Sequence, residues 1–275
     1  MSEILDFSKQ IATEFSVTQI VATNVIRLLS EGCTVPFIAR YRKEMTNTMN
    51  EEVVAAIQKR IEQLEELEKR KEAVLKSIAE QDKLTPELEF SIKNAKTLQD
   101  VEDLYLPYKP KRKTRAEIAR QKGLEPLAKL IMSQNYDDVE GLAKKYIDKE
   151  KGVEDTKEAL KGACDIMAEW VSENINGRNL IRKIYHKEGV ISSTLVKGKE
   201  EEAKTYQQYF DWKESIAEAP SHRILAMFRA ESEGVLKVKL KINDEEALKT
   251  LDNIFIKADN SSTDLVQDAI DDAWK

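Results

Sequence analysis

The run Lys109-Pro110-Lys111-Arg112-Lys113-Thr114-Arg115 places five cations in seven residues and contains no acid. Its proline, with Pro107 just upstream, biases the preceding residues to extended backbone, so the charges cannot be absorbed by i,i+4 partners as they would be on a helix. The chemistry open to such a strip is neutralisation of phosphates with release of counterions. Tyr105 and Tyr108 stand just before it, where a ring could stack on a base or anchor the segment to neighbouring helices. A solvated linker, or one paired with the chain's own acidic helices, fits the charge pattern equally well. Five phosphate contacts on duplex DNA correspond to a log–log salt slope near roughly −4.5.

Other chemistry is thinly represented. The two histidines, His186 and His222, have no Cys, Asp or Glu at metal-ligand spacing, and no glycine-rich phosphate loop or nucleophile elbow occurs. The carboxylates are spread along helix faces among Lys and Arg, as on a solvated surface. The residues therefore predict no catalytic site, no metal and no cofactor. Arg40, Arg42 and Lys43 form a lesser basic group, read as structural partners for Glu44, Glu51 or Glu52. Cys33 and Cys164 lie in apolar helical surroundings and predict free thiols in a reducing compartment.

The 275 residues carry 44 basic and 50 acidic side chains, a net charge of −6, so any contact with nucleic acid must come from a local patch. With only 9 Gly and 6 Pro among many Lys, Glu, Ala and Leu, the composition favours long helices. The N-terminus lacks the apolar core of a signal peptide, and no stretch approaches the roughly 18 apolar residues of a membrane span, which together predict a cytoplasmic protein with no membrane partner.

Periodicity predicts a mostly α fold. Ser16-Val17-Thr18-Gln19 and Thr48 to Glu51 read as capping boxes, the second opening one long helix to about Gln81. Glu68 and Lys71 break a strict heptad in it, so it reads as a packing helix rather than a coiled coil. The segments around Val21–Leu29 and Val35–Lys43 form a helix-turn-helix-like hairpin, a pattern that an ordinary α-hairpin also gives. Gly189–Val196 is rich in β-branched residues, and Val235–Ile242 alternates as a half-buried strand, which predicts a small two-strand element. The predicted organisation is a helical region over 1–104, a basic Pro-containing linker over 105–115, and a second helical region over 116–275 with strands near 189–196 and 235–242. The last amphipathic pattern stops one residue after Trp274, as if the chain ended ahead of a further domain.

Several long stretches, in order, resemble the bacterial Tex-type transcription accessory proteins. They are Gly32-Cys33-Thr34-Val35-Pro36-Phe37-Ile38-Ala39-Arg40-Tyr41-Arg42-Lys43-Glu44, Asp103 through Ala116, and Lys122-Gly123-Leu124-Glu125-Pro126-Leu127-Ala128. Tyr209-Phe210-Asp211-Trp212, Pro220-Ser221-His222-Arg223 and Glu233-Gly234-Val235-Leu236 extend the match. The chain departs from the family at Arg229-Ala230-Glu231, where Arg-Gly-Glu is usual, and at Thr46-Asn47-Thr48, where a Gly turn is usual. Asn tolerates the left-handed conformation, so that turn is expected to survive. The resemblance implies a multidomain protein similar in architecture to eukaryotic elongation factors: a helical N-terminal region, an RNase-H-like domain usually regarded as inactive, helix-hairpin-helix elements and an S1-type domain as the main nucleic-acid contact. On that footing the chain would be a multi-helical N-terminal scaffold ending before the RNase-H-like domain. Its partner would be RNA or DNA, with Lys109, Lys111, Arg112, Lys113, Arg115, Tyr105 and Tyr108 as the candidate contacts. The alternative is an architectural module docking partner domains or RNA polymerase.

Overall fold

The computed structural model describes residues 2–110 and 113–275, with side chains from residue 7 onward, so Lys111 and Arg112 lie outside the described residues. The chain divides into two compact units, Met1–Lys109 and Pro110–Lys275.

The first unit contains α1 (Ser2–Glu14), α2 (Gln19–Ser30), α3 (Val35–Tyr41), α4 (Lys43–Thr46), α5 (Glu51–Ala79), α6 (Pro86–Lys93) and α7 (Leu98–Tyr105). Helix α5 is its spine, 29 residues long with one apolar stripe. The N-terminal half of that stripe (Val54, Ile57, Ile61, Leu64) packs with Ile11, Ala22, Val25, Leu28 and Ile38. The C-terminal half (Leu67, Val74, Ile78) packs with Ile92, Val101 and Tyr105. Lys71, which breaks the heptad in the sequence, is buried on this stripe. Its ammonium donates to Glu68 (2.7 Å) and to the Lys93 carbonyl (3.0 Å) at the end of α6. The aliphatic stem thereby packs while the charge stays satisfied.

Two predicted caps shift. Helix α2 is capped by Thr18, whose hydroxyl accepts from the Val21 N–H, while Ser16 takes φ +54° in the preceding turn. Helix α5 is capped by Asn50, accepting from Val53 N–H, rather than by Thr48. In both cases the residue nearest the first helical turn holds the capping position. Asn47 adopts the left-handed conformation expected of it, φ +50° and ψ +46°.

The second unit comprises α8 (Arg115–Gln121), α9 (Glu125–Met132), α10 (Val139–Lys144), α11 (Thr156–Glu173), α12 (Ile175–Glu188), β1 (Val190–Leu195), β2 (Asp211–Ser215), α13 (Ser221–Ser232), β3 (Leu236–Lys241), α14 (Asp244–Phe255) and α15 (Ser261–Trp274). Helix α11 lies at the centre of its helical core, where Ala159, Ala163, Ile166 and Met167 pack against Leu124, Leu127, Ile131, Val266 and Ile270. At Gly162 an added Cβ would overlap the Leu124 Cδ1 methyl and lie 3.3 Å from the Ala119 methyl, so glycine lets α8 and α11 approach closely.

The two predicted strands, β1 and β3, pair with each other, antiparallel, but the element is three-stranded rather than two-stranded, in the order β2-β1-β3. The strand missing from the sequence reading, Asp-Trp-Lys-Glu-Ser, is mostly polar and carries no β-branched residue. Ile191 and Ser193 of β1 and Leu236 and Val238 of β3 face a second core with Met227 and Ala230 of α13, and this core supports the sheet. Ser193 Oγ donates to the Tyr209 carbonyl at 2.6 Å. Among the described residues no helix is long and apolar enough to cross a membrane.

Gly162→Ala is expected to lower Tm. Overpacking against a closed core costs about 1–3 kcal/mol. The gain in helix propensity is at most about 1 kcal/mol. Thermal denaturation followed by circular dichroism checks the sign.

Candidate nucleic-acid interface

Tyr105 ends α7 with its ring buried. Its hydroxyl is 2.9 Å from Ser77 Oγ, and the Arg70 guanidinium, held by Glu102 at 2.5 Å, lies 5.3 Å from the ring centroid. That ring anchors α7 to α5 and offers no face for a base. Tyr108 is half-buried against the same core, and its carbonyl accepts from Gln81 Nε2 at 2.9 Å. Burial thus gives the Tyr105 ring an anchoring place in the core, while the Tyr108 ring is only partly covered. Lys109 follows with its side chain exposed and its N–H closing the turn onto the Tyr105 carbonyl (3.0 Å).

In the second unit Lys113 is exposed. Thr114 caps α8, accepting from Glu117 N–H at 3.0 Å, and its hydroxyl also donates to Glu169 at 3.3 Å. Arg115, the first residue of α8, is engaged by its own unit. Its guanidinium donates to Asp272 of α15 at 2.5 Å and lies 3.4 Å from Asp165 of α11. The Asp272 hydrogen bond and both carboxylates raise its pKa above the ordinary value. Asp165 is pushed up by burial and drawn back by Arg115. One turn along α8, Arg120 donates to Glu169 at 2.5 Å. Of the five cations of the strip, Lys111 and Arg112 lie outside the described residues, Lys109 and Lys113 are exposed, and Arg115 serves the fold.

The lesser basic group behaves as a structural one. Arg40 pairs with Glu51 at 2.9 Å, and Arg42 sits 5.1 Å from the Phe37 ring centroid. The Cys164 thiol is pushed up to about 12 by burial and by the carboxylates Asp268, Asp165 and Asp272, which makes it an inert core thiol. Among the described residues no group of three or more His, Cys, Asp or Glu could hold a metal ion.

The structure gathers a second set of cations that the sequence reading left as a strand pattern. On β3, Lys237, Lys239 and Lys241 point to the face opposite the core. The register sets Lys213 of β2 and Lys239 on either side of Ser192. The signal was the alternation of Val235–Ile242, but only the pairing of β2 brings the fourth lysine to it.

Arg115→Ala is expected to destabilise the protein more at pH 7 than at pH 3. Asp165 has a folded-state pKa raised from 3.8, so its proton stabilises the fold at low pH and that contribution disappears as pH rises. Removing Arg115 leaves the ionised carboxylate half-buried without its main compensation. The guanidinium is largely exposed, so the loss at pH 7 is below about 1 kcal/mol after screening. Urea midpoints at the two pH values measure the difference.

The sequence matches the family described as Tex-like protein N-terminal domain over residues 5–79 and that described as Tex central region-like over residues 134–275. It is 43% identical over 241 residues to the protein tex of Bordetella pertussis, covering 88% of this chain and 30% of that one. With the transcriptional accessory protein Tex of Neisseria gonorrhoeae it shares 40% identity over 242 residues, 88% of this chain and 32% of the relative. The human S1 RNA-binding domain-containing protein 1 is 30% identical over 232 residues, 82% of this chain and 23% of that protein. The chain thus spans between 23% and 38% of the length of the curated relatives it matches. With family matches to both its N-terminal part and its larger C-terminal part, and in the same order as the motifs read from the sequence, the chain belongs to the Tex family.

Proposed function

We propose that this chain is the N-terminal scaffold of a non-catalytic transcription accessory factor that binds nucleic acid, and that the run 109–115 adds phosphate contacts that do not read sequence. Family membership carries this reading, because relatives are named for transcription accessory and RNA-binding roles. The exposure of Lys109 and Lys113 supports the part assigned to the strip. Arg115 already donates to Asp272, so it is left out of the variant below: its removal would disturb the fold as well as any phosphate contact made through its remaining N–H groups.

The test is binding of the chain to a 20-base-pair DNA duplex and to single strands across a salt series, comparing wild type with K109A/K111A/R112A/K113A. Four contacts on duplex DNA correspond to a slope difference of roughly 3.6 on the log–log plot. Binding unaffected by the four substitutions removes the strip from the reading.

A second reading, a docking module for protein partners, is favoured by a groove of about 520 Å³ on the first unit. Ile26, Leu29 and Ile61 line it beside Glu62, Glu65 and Glu72, which suits a basic amphipathic segment.

A further inference from the structure

The β2-β1-β3 sheet has one covered face and one open face, and the two differ sharply in chemistry. Ile191, Ser193, Leu236 and Val238 turn toward α13 and its core. The antiparallel register sets the opposite face in three rows: Ser215, Val190 and Lys241; Lys213, Ser192 and Lys239; Asp211, Thr194 and Lys237. All four lysines are exposed, and among the described residues none of them is ion-paired within 4.0 Å. Four lysines against one aspartate give the face a net charge of +3, on a chain whose total is −6.

Like charges placed on one sheet face repel one another and weaken the pairing of the strands that carry them. Lys237, Lys239 and Lys241 recur about 7 Å apart along β3, and Lys213 lies about 10 Å from Lys239 across β1. The one acid in these rows, Asp211, does not balance this concentration of charge. A polyanion laid on the face would.

We propose that the open face of this sheet, through Lys213, Lys237, Lys239 and Lys241, is a binding surface for the phosphate backbone of duplex DNA. The proposal rests on the nucleic-acid reading above and assigns it a second site, separate in sequence from the run 109–115. Three features select the ligand. The face carries no aromatic ring, so it has no platform on which the bases of a single strand could stack. It carries no large apolar anchor beyond Val190, and lysine-rich, aromatic-poor surfaces are the opposite of protein interfaces. The Ser192 hydroxyl donates to the Lys239 carbonyl at 3.3 Å, and beside the four lysines only Ser215 and Thr194 add hydroxyls in these rows, so charge is the main recognition element. Duplex DNA presents the dense charge that fits, about one per 1.7 Å of axis.

The test compares wild type, K213Q/K237Q/K239Q/K241Q, the matching Lys→Arg set, and the strip variant described above. Each is titrated with a 20-base-pair DNA duplex, a 20-nucleotide single strand and a poly-glutamate peptide over a salt series. The Gln set is expected to lose at least about tenfold in duplex affinity at low salt, with its log–log slope smaller by roughly 3.6, while the Arg set binds like wild type. Amine-reactive footprinting of the wild type adds a readout independent of any variant: bound duplex should protect Lys213, Lys237, Lys239 and Lys241 from acylation. Loss of duplex binding in the strip variant alone, with the four lysines unprotected, overturns this site and leaves the general reading intact. Protection by poly-glutamate but not by DNA overturns it in favour of an acidic protein partner. Tighter binding of the single strand than of the duplex overturns the choice of ligand. No duplex or single-strand binding by the wild type at low salt overturns both the site and the reading beneath it.

Discussion

Helix α11 is enclosed by α8, α9 and α15, and its contact face is made of small residues that allow the enclosure. Ala159, Gly162 and Ala163 let Leu124 and Ala119 come close, and the missing Cβ at Gly162 is where the Leu124 methyl sits. That close approach fixes how α8 is turned, and so fixes where its first residue emerges. Arg115 comes out between Asp165 on α11 and Asp272 on α15, both within reach of its guanidinium. The same enclosure partly buries Cys164 and Asp165, which raises the pKa of each. A residue that belongs to the basic strip in sequence is thus recruited to the fold by helix packing.

In an acidic chain, the secondary structure a cation sits on decides much of what it can do. Helical geometry brings residues three and four apart together, and the helices use it at Lys93–Glu89, Lys129–Glu125 and Arg229–Glu233. These pairs are exposed and contribute little to stability, but they occupy the charge. A strand has period two, so the same-face neighbours of Lys239 on β3 are Lys237 and Lys241, with no acid among them. Cross-strand neighbours then decide the matter, and they are Ser192 and, beyond it, Lys213. The sheet face keeps its charge for this geometric reason, whereas Arg115 does not.

Much of the helical plan was legible because it depends on local pattern. The apolar stripe of α5, the Thr114 cap of α8 and the left-handed turn at Asn47 follow from neighbours within a few residues. The caps of α2 and α5 were misplaced by two residues, since Thr18 and Asn50 compete locally with Ser16 and Thr48 and the packing of the first turn chooses between them. Tyr105 and Tyr108 were ambiguous because a ring that anchors and a ring that stacks look the same in one dimension. Burial beside Ser77 and Arg70 separates the two for Tyr105.

The sequence by itself determined the helical class, the spacing of α5 and the resemblance to the family, because each lives in residue type and short-range periodicity. Only the tertiary structure decided which cations are left free. Ion pairing depends on distances between residues far apart in the chain, such as Arg115 and Asp272, or Lys213 and Lys239. Those distances are set by how helices approach and how strands register, and no local pattern contains them.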